Sequence, residues 1–177
     1  KTGRFNKAIE NPRLRQDGKK YEYVIARADE TSIGQDVVIH QDDVRAIQLG
    51  KAAMYTGAKV MMRTYGVDKL DKVILAGAFG SYIDKKSASV LGMFPDCPQD
   101  KIYSVGNAAG DGARMALLDA DKRKEADEFA RKVEYKELTV EKDFQKMFLK
   151  AVGLPHQNDP FPGLEGIIPD ELLPGGS

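Results

Sequence analysis

The chain has 177 residues, and its 27 Lys and Arg residues balance its 27 Asp and Glu residues, so the formal net charge is zero. A chain without a basic excess is not typical of a nucleic-acid binder or an anionic-membrane binder, because both depend on a positive field. One cysteine, Cys97, excludes an internal disulfide and an iron–sulfur cluster ligated by this chain alone. No apolar run approaches the roughly 20 residues of a membrane span. The chain begins at Lys1 without a methionine, and we expect it to be a cytoplasmic piece of a longer protein.

The first elements predicted along the chain are two strands that form a hairpin. Residues 1–20 are polar and lead into the fold. Residues 21–26 alternate aromatic or branched side chains with others, and residues 36–40 resume an extended run after a polar turn. This pattern predicts a hairpin closed by that turn.

A long helix is predicted over residues 42–65, where acidic residues at the start suit the positive end of a helix dipole. One face carries bulky apolar residues, and a second face carries small residues that include Gly50 and Gly57. Glycine costs about 0.8–1 kcal/mol relative to alanine inside a helix. The small face therefore indicates that a sheet, another helix or a ligand passes close by, with packing favoured over a ligand.

The rest of the chain alternates strands with helices, which is typical of the α/β class. The predicted elements are a buried strand at 73–76, a short helix at 84–92, a strand at 101–105, helices at 108–121 and 121–131, a strand at 135–138 and an amphipathic helix at 141–152. Residues 153–177 hold five of the eight prolines and predict an extended or disordered tail. We therefore divide the chain into segments 1–20, 21–152 and 153–177.

Two glycine-rich junctions, at residues 75–82 and 105–113, each follow a predicted strand. Ligands of open α/β sheets bind outside the carboxyl ends of the strands, where glycine lets the main chain approach them closely. The alternative is a pair of tight turns that need a positive φ. Neither junction contains the G-x-G-x-x-G fingerprint or the P-loop motif, which argues against a dinucleotide site or a P-loop site. Two junctions in one small sheet favour a ligand site.

Polar residues elsewhere give weaker signals. Gln48 and Lys51 lie one turn apart on the long helix, where they could hydrogen-bond a ribose or a phosphate, although spacing alone favours a solvated polar face. The run at residues 29–32 is more typical of a hairpin turn than of a metal loop. The sequence identifies no catalytic residue and no metal site.

The runs at 43–53, 75–82 and 105–114, with the opening run 1–5, together resemble one family, the ATP-dependent reductive activators of corrinoid proteins. The resemblance is to their C-terminal part and extends from residue 1 to about residue 152. That family belongs to the superfamily of acetate and sugar kinases, heat-shock chaperones and actin, whose members bind ATP between two ribonuclease H-like subdomains. The resemblance implies that this chain is mostly the second subdomain, with a mixed sheet flanked by helices.

The same resemblance implies a set of residues that bind the nucleotide. Residues 77–80 match the adenosine motif, although Ala78 stands where many members have a second glycine. Gln48 and Lys51 match a helix position from which relatives contact ribose and adenine, often as a Glu/Lys pair. The implied nucleotide-binding residues are Gln48, Lys51, Gly77, Ala78, Phe79, Gly80, Ser81, Gly106, Asn107 and Gly110.

The function that the resemblance implies is repair of a corrinoid cofactor. ATP with Mg²⁺ drives reduction of inactive Co(II) to Co(I), and the electron comes from an iron–sulfur cluster on another domain. The implied partners are the corrinoid protein, the remaining domains of the activator and a second copy of the parent, and we expect this piece to be inactive alone. The alternatives are a docking module that binds the corrinoid protein or the methyltransferase through residues 121–152, and half of a small-molecule kinase, which ranks last because no substrate base is visible.

Overall fold

The computed structural model describes residues 2–169, apart from the side chain of Phe79. The strands are β1 (Leu14–Asp17), β2 (Lys20–Ala26), β3 (Val37–His40), β4 (Val73–Leu75) and β5 (Ile102–Ser104). The helices are α1 (Gln41–Tyr65), α2 (Gly77–Tyr82), α3 (Lys85–Leu91), α4 (Ala108–Leu118), α5 (Ala120–Ala130) and α6 (Phe144–Ala151). The α/β class is confirmed.

The described strands lie in two sheets that are not hydrogen-bonded to each other. Strands β1, β2 and β3 form an antiparallel sheet in that order, and β4 pairs with β5 in parallel. The predicted hairpin of β2 and β3 is therefore confirmed. The strand predicted at 73–76 is present as β4, but it is not buried within the described residues, since Ile74 at its centre is 54% exposed. The polar leading segment contains a strand that its composition does not predict, because β1 is built from Leu14, Arg15, Gln16 and Asp17. A turn with Gly18 at φ +58° folds β1 back onto β2.

Most predicted helices are confirmed, with small changes at their ends. The predicted helices 108–121 and 121–131 meet at Asp119, whose carboxylate accepts hydrogen bonds from the N–H groups of Asp121 and Lys122 and so begins α5. The predicted strand at 135–138 is wrong. No strand of the described part of the chain pairs with these residues, and the Glu137 carboxylate accepts hydrogen bonds from the Tyr135 hydroxyl and the Thr139 N–H instead.

Over residues 153–169 the carboxyl-terminal segment differs from the predicted extended or disordered tail, because these residues fold back and pack on α1. The rest of that tail, residues 170–177, lies outside the described residues. Phe161 and Leu164 are 3% and 1% exposed, and they share a core cluster with Ala52 and Tyr55 of α1 and Ala151 of α6. The prolines of this segment break regular structure without preventing burial of the apolar side chains between them. The division of the chain at residue 152 remains a prediction.

A second cluster contains Ala88, Met93, Phe94, Cys97 and Ile102.

The face that α1 buries is not either of the two predicted faces. Its buried residues are Gln48, Lys51, Ala52, Tyr55, Thr56, Val60 and Met62. On the bulky face, Ile47 and Met54 are each 48% exposed. On the small face, a Cβ at Gly50 would meet nothing within 4 Å, and one at Gly57 would meet only a Leu138 methyl group at 3.4 Å. Within residues 2–169, no close neighbour accounts for Gly50.

Candidate functional site

The two glycine-rich junctions lie side by side at the carboxyl ends of β4 and β5. The Gly77 N–H donates a hydrogen bond to the Gly106 carbonyl at 2.7 Å, and the Val105 N–H donates to the Leu75 carbonyl at 3.0 Å. Because β4 and β5 run in parallel, their carboxyl ends meet at one edge, where α/β sheets bind ligands. The structure therefore brings together eight of the ten residues that the resemblance implies.

Gly77 and Gly106 are the glycines that the turns themselves require. Their φ angles are +86° and +67°, in the left-handed region that side chains with a Cβ disfavour. A Cβ at Gly77 would meet nothing within 4 Å, and one at Gly106 would meet only the Ser81 Oγ at 4.0 Å. The turns thus need a positive φ, as the alternative interpretation expects, and they also leave open space beside the main chain.

Gly80 and Gly110 are required by packing inside the junctions. A Cβ at Gly80 would lie 2.8 Å from the carbonyl carbon of Leu75. A Cβ at Gly110 would collide with the side chain of Asn107, whose Oδ1 accepts a hydrogen bond from the Gly110 N–H at 3.1 Å. These two glycines fix the shape of the site, and their lack of a side chain is explained without a ligand.

Two serine hydroxyls add hydrogen bonds around α2. The Ser81 Oγ donates to the Gly77 carbonyl at 2.8 Å, and the Ser104 Oγ donates to the Gly80 carbonyl at 2.6 Å. Ala78 is exposed. The sequence singled out Ser81 but not Ser104, because nothing in a strand-ending serine indicates which carbonyl it will meet.

Helix α4 brings its N-terminus and one ion pair to the second junction. Asn107 caps this helix of 11 residues, whose N-terminus carries a partial positive charge. Asp111, in its first turn, pairs with Arg114 at 3.4 Å. A helix N-terminus and open space beside glycines suit a polar ligand that approaches the main chain closely.

Gln48 and Lys51 are engaged elsewhere in the structure. The Gln48 amide donates to the Val152 carbonyl at 2.7 Å and to the Thr2 carbonyl at 3.3 Å. The Lys51 amine, on a side chain 2% exposed, donates to the carbonyls of Gly153 and Pro155. Burial lowers the pKa of Lys51 to about 8. Their polar groups are thus neither solvated nor hydrogen-bonded to the junctions, and their implied role with the nucleotide remains a prediction.

A polar cluster that the sequence did not indicate joins α1 to the carboxyl-terminal segment. The Tyr55 hydroxyl donates to the Asp159 carboxylate at 2.6 Å, and His156 stacks on the Tyr55 ring with centroids 4.9 Å apart. Burial raises the pKa of Tyr55 and lowers that of His156. Lys59 pairs with Asp159 at 3.3 Å. These contacts are about 100 residues apart in sequence, so no local pattern signals them.

Over residues 2–169, no group of three or more His, Cys, Asp or Glu side chains could hold a metal ion. Glu30, in the run that could have been a metal loop, accepts a hydrogen bond from the Arg27 N–H. Cys97 is 2% exposed, and burial raises the pKa of its thiol. None of the described helices is both long enough and apolar enough to cross a bilayer.

Comparison with known proteins connects this geometry to one family. A family model described as the C-terminal domain of RACo, the ASKHA domain, matches residues 1–165. The corrinoid activation enzyme RamQ of Eubacterium limosum is 35% identical over 136 residues, which are 76% of this chain and 23% of that protein. A solved structure of a reductive activator for corrinoid, iron–sulfur protein matches with a TM-score of 0.79 and 34% identity, over 89% of this chain and 25% of that one. This chain therefore spans about a quarter of the length of these relatives.

Proposed function

The chain belongs to the family of C-terminal ASKHA domains found in the reductive activators of corrinoid proteins, and from this we propose that it supplies the adenosine side of an ATP cleft. One observation carries the proposal, namely the hydrogen bond between Gly77 and Gly106 that holds the two junctions together. Main chain that is free of side chains at both turns lets an adenosine approach closely. The nucleotide-binding residues are then Gly77–Ser81, Gly106, Asn107 and Gly110, with Gln48 and Lys51 as further candidates.

In the whole activator, we propose that ATP with Mg²⁺ drives the reduction of an inactive Co(II) corrinoid to Co(I), in the cytoplasm. Nucleotide binding can drive an unfavourable electron transfer only if it favours one conformation in which cobalt is more easily reduced. The electron would come from an iron–sulfur cluster on a separate domain. This chain does not supply the ligands of that cluster, because a cluster is held by several cysteine thiolates and Cys97 is a single, buried thiol.

Exposed apolar side chains support the proposal that the remaining domains of the activator bind this chain. On α1, Leu49 and Tyr65 are 52% and 75% exposed, and on α4, Leu117 and Leu118 are 75% and 79% exposed. Exposed apolar patches on a helix are typical of surfaces that other protein covers. We propose that the rest of the activator covers them and completes the ATP cleft, so that this chain alone lacks ATPase activity.

The test is a titration of the ¹⁵N-labelled chain with Mg²⁺ and a non-hydrolysable ATP analogue. Amide shifts concentrated at residues 77–82 and 106–112, even at millimolar affinity, would support the adenosine site. The Gly77→Val variant is the negative control and should lose these shifts. Valine disfavours a φ of +86°, and its side chain would fill the space beside the turn. Shifts that are spread over the surface, or that persist in this variant, would refute the site.

A second function is favoured by the apolar residues of the segment 121–152. Phe129, Val133, Tyr135, Val140 and Leu149 are each more than 60% exposed. We propose as the alternative that this surface docks the corrinoid protein. Substituting Phe129 and Leu149 with serine should then weaken binding of the corrinoid protein to the whole activator and leave nucleotide affinity unchanged.

A further inference from the structure

Ser104, the last residue of β5, immediately precedes the second junction, and its side chain contacts the first junction. Its Oγ donates to the carbonyl of Gly80 at 2.6 Å. Gly80 lies in α2, a helix of six residues, and the last four carbonyls of a helix have no partner within it. The hydroxyl of Ser104 therefore satisfies a carbonyl that α2 itself leaves unpaired.

The main-chain hydrogen bonds between the junctions are formed by residues at the start of the first junction. The Val105 N–H donates to Leu75, and the Gly77 N–H donates to Gly106. Ser104 adds a hydrogen bond one turn further along, at Gly80. On its other side, Gly80 lies close to the main chain of Leu75, since a Cβ there would come within 2.8 Å of the Leu75 carbonyl carbon. The end of the first junction is thus held between β4 and the side chain of Ser104.

We infer that Ser104 is a positioning residue of the nucleotide site. Its hydroxyl holds the first junction, residues 75–82, at a fixed distance from the second junction, residues 105–113. This inference rests on the function proposed above. A helix as short as α2 has little stability of its own, so its position depends on tertiary contacts such as this one. If the hydroxyl is removed, residues 77–82 must be ordered when the nucleotide binds, and that ordering reduces affinity.

The test uses the complete 177-residue chain and three variants. Ser104→Ala removes the hydroxyl, and Ser104→Thr keeps it. Ser89→Ala is the matched control, because the Ser89 Oγ also donates to one carbonyl, that of Lys85 at 2.9 Å, but within α3. Hydrogen exchange of amides 77–82 is measured without nucleotide, and affinity is then measured with Mg²⁺ and the non-hydrolysable ATP analogue.

We expect Ser104→Ala to speed exchange at residues 77–82 and to weaken nucleotide affinity about three- to tenfold, as the loss of one hydrogen bond would. Ser104→Thr should restore both. Ser89→Ala should change neither, although it loses a comparable hydrogen bond, and this separates positioning from a general loss of stability.

Two results would overturn the inference: wild-type exchange at these amides in Ser104→Ala, or faster exchange with unchanged nucleotide affinity. Failure of the proposed function gives a different result. In that case the wild-type chain shows no nucleotide shifts at the junctions, which removes the nucleotide role of Ser104, while the exchange data still report whether its hydrogen bond holds α2.

Discussion

Lys51 offers a test of how α1 holds the carboxyl-terminal segment. Its side chain is 2% exposed, and burial lowers its pKa from 10.5 to about 8. In the unfolded chain the amine is solvated and keeps its ordinary pKa. Between these two values, the unfolded state binds more protons than the native state, so the free energy of unfolding rises with pH. Below about pH 8, the full cost of burying the charged amine is present.

The size of the effect follows from the two pKa values. A fall from 10.5 to about 8 predicts that stability increases by about 1 kcal/mol between pH 7 and pH 9. Lys51→Met keeps the length of the side chain and removes the titrating amine. The variant should lose this pH dependence. Its stability at pH 7 reflects two opposing changes, relief of a buried charge and loss of the donor to the Gly153 and Pro155 carbonyls.

The assay is urea unfolding of wild type and Lys51→Met at several pH values from 7 to 9. The pKa values of Cys97 and Tyr55 are raised, so these two groups reduce the free energy of unfolding as pH rises. Wild type and Lys51→Met both contain them. The difference between the pH dependences of the two proteins therefore isolates Lys51. Lys59→Met, on the same helix, is the control for replacing a lysine of α1 with methionine. Equal slopes for wild type and Lys51→Met would refute a buried, charged Lys51.

Three further predictions concern packing. Leu164→Ala, at a position 1% exposed, should cost about 2–5 kcal/mol in the free energy of unfolding; a loss below about 1 kcal/mol by urea denaturation would contradict the packed carboxyl-terminal segment. Gly92→Ala should cost at least about 1–2 kcal/mol, because φ is +71° and a Cβ would collide with the main chain of Pro155; a neutral result in thermal unfolding would be inconsistent with this contact. Leu118→Ser, at a position 79% exposed, should change the stability of this chain by less than about 0.5 kcal/mol. The same substitution should lower the stability of the whole activator by more than that. Equal changes in stability in the two proteins would argue against a domain that covers Leu118.

The elements that the sequence predicts correctly are those specified by short-range patterns. The hairpin of β2 and β3, the helix α1 and the glycine turns after β4 and β5 each depend on residues within a few positions of one another. The misassigned strand at 135–138 shows the limit of such patterns, because an extended run becomes a strand only where a neighbouring strand accepts its hydrogen bonds.

The buried face of α1 shows a second limit. Periodicity separates a bulky face from a small one, but the structure buries a third face that contains Gln48 and Lys51. A hydrophobic pattern locates surfaces that the folded protein covers, and it does not distinguish a surface covered by this chain from one covered by another domain. The apolar faces that remain exposed on α1 and α4 are consistent with the quarter of the relatives' length that this chain spans.

By itself, the sequence determined the α/β class, the order of the main elements, the two glycine junctions and the family. Only the tertiary structure showed that the junctions share a hydrogen bond, that the Ser104 hydroxyl donates to the Gly80 carbonyl, and that residues 153–169 pack on α1. The reason is the separation of the partners along the chain, which is 24 residues for Ser104 and Gly80 and 104 residues for Lys51 and Pro155. Local propensity and periodicity extend over one helix or strand, whereas contacts across such distances are decided when the whole chain buries its apolar groups.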